Sequence, residues 1–225
     1  MAIFQRLLRV AVLAGLCTGL LTTLAHQQLT VPLILQAERY EAPASHGHPS
    51  HDQGSAWQPA DGLERNLFTA FSDVMTAIGF ALVLGAIWIW RGAPTTLPLA
   101  LIWGLAGYAS FVLAPGLGLP AQLPGADAGP LGARQIWWLA SAVATAGGLA
   151  LLVFSRVLLW RIAAVALLLS PHLIGAPQTS AENSALSLGL HGEFIRAGLA
   201  VGLLFWLTLA ASTAHFFSRD ERRAK

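Results

Sequence analysis

The sequence predicts an all-α, polytopic membrane bundle of six helices, arranged as three hairpins with both ends in the cytoplasm. Three observations carry this. Of 225 residues, 55% are hydrophobic and only 11% charged, less than half the usual charged share of about 25% in a soluble domain. The mean hydropathy is +0.61. The apolar residues also fall into runs near the roughly 20 residues needed to cross a bilayer as a helix.

The six predicted spans are 7–35, 67–90, 97–119, 136–154, 157–174 and 194–217. The first follows Arg6 and Arg9 and imitates a signal peptide. However, Thr23-Leu24-Ala25 is a poor cleavage site and hydrophobicity resumes at Val31, so an uncleaved span is expected. Only Ser155 and Arg156 separate the fourth and fifth spans, which calls for a tight turn, with residues 158–161 at the interface. Residues 1–217 are read as one transmembrane domain, with 36–65 as an external His-containing loop. Residues 218–225 form a short basic cytoplasmic tail, mobile and close to anionic lipid.

Lys and Arg placement orients the bundle. With the first helix starting inside, Arg6, Arg9, Arg91, Arg156, Arg161, Arg219, Arg222, Arg223 and Lys225 are cytoplasmic, and Arg39, Arg65, Arg134 and Arg196 external. Glu38, Glu41, Asp52, Asp61, Glu64, Asp127, Glu182 and Glu193 fall outside, against Asp220 and Glu221 inside. The outer face is therefore acidic and attracts cations. Trp88, Trp90, Trp137, Trp138 and Trp160 are expected as interfacial anchors.

Proline marks the outer ends of the odd-numbered spans, at Pro32, Pro115 with Pro120, and Pro171 with Pro177. Proline removes a backbone donor, so irregular carbonyls are expected along the outer rim, although each segment taken singly reads first as plain helix termination. The even-numbered spans open on Glu64-Arg65, Arg134-Gln135, and Glu193 with Arg196, a weak threefold repeat of helical hairpins.

Three features point to metal chemistry. In the first outer loop, His46, His48, His51 and Asp52 lie within seven residues. Imidazoles at that spacing wrap a divalent transition metal without selecting among cobalt, nickel, zinc and copper; an incidental solvated loop has the same composition. Glu38 and Glu41 flank it as oxygen ligands. Asp73 lies inside the second span on a stripe with Asn66, Thr69 and Thr76. A carboxylate at that depth faces a cavity or a partner, because hydrocarbon does not solvate it. His172 sits near the outer end of the fifth span, with His26, His191 and Glu193 also in the outer half. The inner half has only His215.

Other classes lack their signatures. No phosphate-binding loop, H-E-x-x-H or G-x-S-x-G arrangement occurs, and no basic face interleaved with aromatics suits nucleic acid. Catalysis is not expected, and no cofactor is expected to be permanently bound. Cys17, the single cysteine, lies in the first span and has no second thiol. His26 and His172 suit haem at one depth, but a second pair is missing.

Several segments together carry a family resemblance: Val31-Pro32-Leu33-Ile34-Leu35-Gln36-Ala37-Glu38 with Tyr40-Glu41; Asp61-Gly62-Leu63-Glu64-Arg65; Leu113-Ala114-Pro115-Gly116-Leu117-Gly118-Leu119-Pro120; Arg134-Gln135 with Trp137-Trp138; and Pro171-His172-Leu173-Ile174-Gly175-Ala176-Pro177. Spread over nearly the whole chain, they resemble the CbtA family, cobalt transporter subunits of bacterial membranes. The loop after Tyr40-Glu41 is also like the family, although His46, His48 and His51 map onto no fixed family positions. The resemblance implies cobalt uptake across the bacterial inner membrane, linked to cobalamin synthesis, and a small single-span, His-bearing CbtB partner. A non-transporting scaffold subunit and a haem or quinone anchor remain as alternatives.

Overall fold

The computed structural model describes residues 2–41, 59–60, 62–92, 96–123, 129–177 and 185–223. Every regular element among them is helical: α1 (Ala2–Leu29), α2 (Val31–Glu41), α3 (Leu63–Arg91), α4 (Leu97–Tyr108), a π-helical turn (Ala109–Leu113), α5 (Ala114–Gly118), α6 (Leu131–Phe154), α7 (Leu158–Ile174) and α8 (Ala185–Arg223). Five apolar stretches are long enough to span a bilayer: Ile3–Arg39, Leu63–Arg91, Leu97–Gly118, Leu131–Phe154 and Gly189–Asp220. The sixth, α7, has 17 residues, about 25 Å at 1.5 Å per residue and at the short limit for a crossing. This is the polytopic helical bundle that hydropathy predicts.

The helices gather into two compact units, Met1–Gly104 with Leu204–Lys225, and Leu105–Leu203. In the first, α1 and α3 run antiparallel along a seam of small side chains. Ala11, Ala14, Ala77 and Ala81 are fully buried there. A methyl group at Gly15 would lie 2.7 Å from the Ile78 nitrogen, and one at Gly19 2.5 Å from the Val74 Cα. Such approach is how helices associate in lipid, where no hydrophobic force drives them together.

At one end of this unit Val10, Leu84, Trp88, Ala100, Ala210 and Phe217 form a core cluster. The Arg6 guanidinium donates to the Phe217 carbonyl (3.1 Å) and lies over the Phe217 ring, 5.1 Å from its centroid. Arg6 and Arg9 both pair with Asp220, at 3.5 and 3.3 Å. The start of α1 and the end of α8 therefore share one end of the unit, and Thr18 joins them midway by a 3.2 Å hydroxyl contact to Ser212. Ends that share one side of a membrane require an even number of crossings, which the five long spans together with α7 would supply. The expected tail is helical through Arg223.

In the second unit α6 packs antiparallel on α7, with Gly148 against Leu168 and the Ala164 carbonyl. The turn between them covers 155–157. The Val157 amide donates to Ser155 Oγ (3.2 Å) and Arg161 Nε to the Ser155 carbonyl (3.1 Å), so α7 begins one residue later than predicted.

The prolines are absorbed rather than left as open breaks. Pro32 enters at the second residue of α2, where a helix has spare donors anyway. A π turn immediately precedes the Ala114-Pro115 step. Pro171 deprives the Leu167 carbonyl of its helical donor, and the Ser170 hydroxyl replaces it at 2.9 Å. Gly175, with φ 86°, closes α7 by donating to the Pro171 carbonyl. The expected row of free carbonyls is thus filled in at Pro171.

Two of the expected tryptophan anchors are core residues. Trp88 is fully buried, edge-on to Phe217, and Trp137 is buried and donates to the Pro171 carbonyl at 3.3 Å. Trp90 and Trp160 are exposed as anticipated.

The seam makes a stability prediction. Gly19→Ala should lose about 1–3 kcal/mol by overpacking, whereas Gly79→Ala on the open face of α3 should gain up to about 1 kcal/mol from helix propensity. Thermal unfolding in mild detergent reads both, and equal stability of the two variants would refute a tight seam. The shared end makes a topological one. In a Cys17→Ser background, cysteines at Gln5 and Ser218 should react with a membrane-impermeant maleimide from the same side of sealed vesicles. Labelling from opposite sides would refute the even crossing.

Candidate functional site

A second group of polar side chains in the first unit lies along the half of the α1–α3 seam away from Asp220. Asp73 lies ten residues into α3, about 15 Å along the helix. Its partner is α1. The Thr23 hydroxyl lies 2.9 Å from both Asp73 Oδ2 and the Gly19 carbonyl, and donates its one proton between them. His26 Nε2 lies 3.7 Å from Asp73 Oδ1.

His26 is held from behind. Its Nδ1 lies 2.9 Å from Thr30 Oγ1, and the Thr30 hydroxyl donates to the His26 carbonyl at 3.1 Å. With the Thr30 proton on the His26 carbonyl, Nδ1 supplies the hydrogen between ring and hydroxyl and the Nε2 lone pair faces the carboxylate; with that proton on Nδ1, Nε2–H faces it instead. Thr23 and His26 on α1, and Thr30 just past its end, recur at three- and four-residue spacing on the face that meets Asp73.

Two further contacts run outward from this pair. Gln27 Nε2 donates to Asn66 Oδ1 at 2.8 Å. Arg65 Nη2 pairs with Glu38 Oε1 at 3.2 Å, with both side chains partly exposed. Thr69, on the predicted stripe, donates to the Arg65 carbonyl, and Thr76 is exposed. The stripe on α3 is therefore real at Asn66, Thr69 and Asp73.

The other predicted site residues are distributed as follows. Glu38 belongs to α2, not to an irregular loop, and Glu41 closes that helix. His46, His48 and His51 lie outside the described residues. His172 belongs to the second unit, exposed in the last turn of α7, with its ring edge-on to Trp137 at 6.1 Å between centroids. His26, weighed in the sequence only as one of several outer histidines, is the imidazole that meets Asp73. Among the described residues no group of three His, Cys, Asp or Glu side chains converges.

An apolar groove of about 780 Å³ runs along α6 and α7, lined by Ala140, Val143, Gly147, Leu167 and Pro171 among others. Its lining contains no titratable side chain.

Comparison with curated proteins and with solved structures finds no match. A family model described as "probable cobalt transporter subunit (CbtA)" matches residues 4–218, which include every described helix except the extreme ends of α1 and α8. By that match, over nearly its entire length, the chain belongs to the CbtA family of probable cobalt transporter subunits.

Proposed function

We propose that the chain is the membrane subunit of an uptake transporter for a divalent transition metal, with cobalt as the cargo, and that it captures the ion on the external face. The observation that carries the reading is Asp73, a carboxylate well inside a spanning helix and engaged by α1 side chains, in a chain of a cobalt transporter family. Ionisable groups at membrane depth mark substrate pathways more often than structural sites.

In this reading the His46, His48 and His51 loop, with Glu38 and Glu41 beside it, raises the local concentration of the cation. Asp73 receives it in the first unit, and His172, on α7 of the second, is a further ligand by the sequence reading. Asp220 sits with Arg6 and Arg9 at the opposite end of the first unit, and the basic residues there assign that end to the cytoplasm. The bundle lies in the bacterial inner membrane. A small single-span subunit of the CbtB type completes the transporter, and drives or gates it from outside this chain.

Uptake of labelled cobalt by cells tests this. Cells with the gene should accumulate the ion faster than cells without it. Asp73→Asn, which keeps an oxygen for Thr23, should lower uptake by about tenfold or more, and His172→Ala should lower it less. Changing His46, His48 and His51 together to Ala should raise the cobalt concentration needed for half-maximal uptake. Unchanged uptake without the gene and in every variant would remove the transport reading.

A further inference from the structure

The geometry points to a cation site inside the seam, in which His26 Nε2 and Asp73 Oδ1 bind one divalent transition-metal ion between them. The inference rests on the uptake reading and deepens it by naming the ligands that hold the ion within the helices.

Four observations converge. First, the 3.7 Å separation is too long for a hydrogen bond, which ends at about 3.2 Å for N–H···O. It matches two ligands of one ion. Bonds of about 2.1 Å at a tetrahedral angle put the ligand atoms about 3.4 Å apart, so a shift of about 0.3 Å closes the chelate. Second, Thr30 occupies Nδ1, so Nε2 is the ring nitrogen left for a metal. In the tautomer in which Nδ1 donates, its lone pair and the carboxylate oxygen both face a cation placed between them. Third, both ligands have the supporting partners that metal ligands need. Thr30 holds the His26 ring through Nδ1, and Thr23 holds the other carboxylate oxygen. Fourth, the side chains stay partly open, 31% and 16% exposed, so water can fill the remaining coordination positions.

The neighbours are compatible with this. Gln27 and Asn66 satisfy one another on the outward side, and the nearest cation outward, Arg65, is directed to Glu38. One imidazole, one carboxylate and water suit cobalt, nickel or zinc over magnesium, which disfavours imidazole. A site with only two protein ligands also releases its ion readily, as a transport site must.

The test uses the full-length purified protein in detergent, with His46, His48 and His51 changed to Ala so that the loop cannot bind. Cobalt(II) chloride is the probe, followed by calorimetric titration and by the cobalt-induced rise in Tm. The background protein should bind one cobalt ion per chain, with no competition from equimolar magnesium. His26→Gln and Asp73→Asn should each weaken binding by about tenfold or more and abolish the Tm rise. Together they should cost little more than either alone, because one remaining ligand cannot chelate. Thr30→Val, which leaves both ligands in place, should give an intermediate loss. The metal-free Tm of each variant separates a lost site from a lost fold, and a variant that does not fold is replaced by His26→Asn or Asp73→Ser. Cobalt bound equally tightly by the background and by both single variants would overturn the site while leaving the uptake reading standing. So would a background protein that binds no cobalt when cells still need the gene for uptake. No binding and no gene-dependent uptake would overturn both.

Discussion

The close approach of α1 to α3 is the contact from which the rest of the first unit follows. Two apolar helices in lipid gain nothing by burying apolar surface from each other, so they associate only where backbones come near enough for dispersion and hydrogen bonding to act. Gly15, Gly19 and the alanines at 11, 14, 77 and 81 provide that approach. Beyond Gly19 the same two faces continue and carry Thr23, His26 and Thr30 on one side and Asp73 on the other. The distance set by the glycines thus determines how far apart the imidazole and the carboxylate are held.

The two ends of the unit use polar groups in different ways. Next to the Trp88–Phe217 cluster, Arg6, Arg9 and Asp220 join α1 to α8, with two guanidinium groups facing the one carboxylate. Along the opposite half of the seam, the carboxylate at 73 meets a hydroxyl and an imidazole that carries charge only when protonated. A carboxylate already faced by two cations has little to offer a passing metal ion. A carboxylate beside a hydroxyl and an imidazole has more, and the proposed cation site follows from that contrast.

The sequence made the spans and the shared end of the first and last helices legible, because length, hydropathy and Lys/Arg placement are strong signals in a chain confined by lipid. It also made Asp73 legible, since a charge in hydrocarbon stands out. Which apolar face turns inward was harder to read. Lipid and protein interior are equally apolar, so Trp88 and Trp137 looked like interfacial anchors and proved to be core. The proline segments were legible in part: Pro120 and Pro177 lie just past the ends of α5 and α7, while Ser170 and the π turn supply local repairs whose need is visible in sequence but whose geometry is not. His26 had a usable signal. Thr23, His26 and Thr30 form a polar stripe on α1 of the same kind as Asn66, Thr69 and Asp73 on α3, and two such stripes on adjacent spans of a hairpin are placed to meet.

The incomplete ligand set also bears on how a metal is chosen. One imidazole and one carboxylate follow the general order of divalent affinities, in which copper and nickel stand above cobalt, so discrimination for cobalt cannot reside in these two atoms. It has to come from further ligands, from the hydration the ion keeps, or from which metal is delivered to the mouth. A chain that belongs to a family of transporter subunits has an evident source for further ligands in the subunit it joins. If the proposed two-ligand site is right, it would be half of a selective site: it would hold an ion loosely enough to pass it on, and another subunit would supply what makes the ion cobalt.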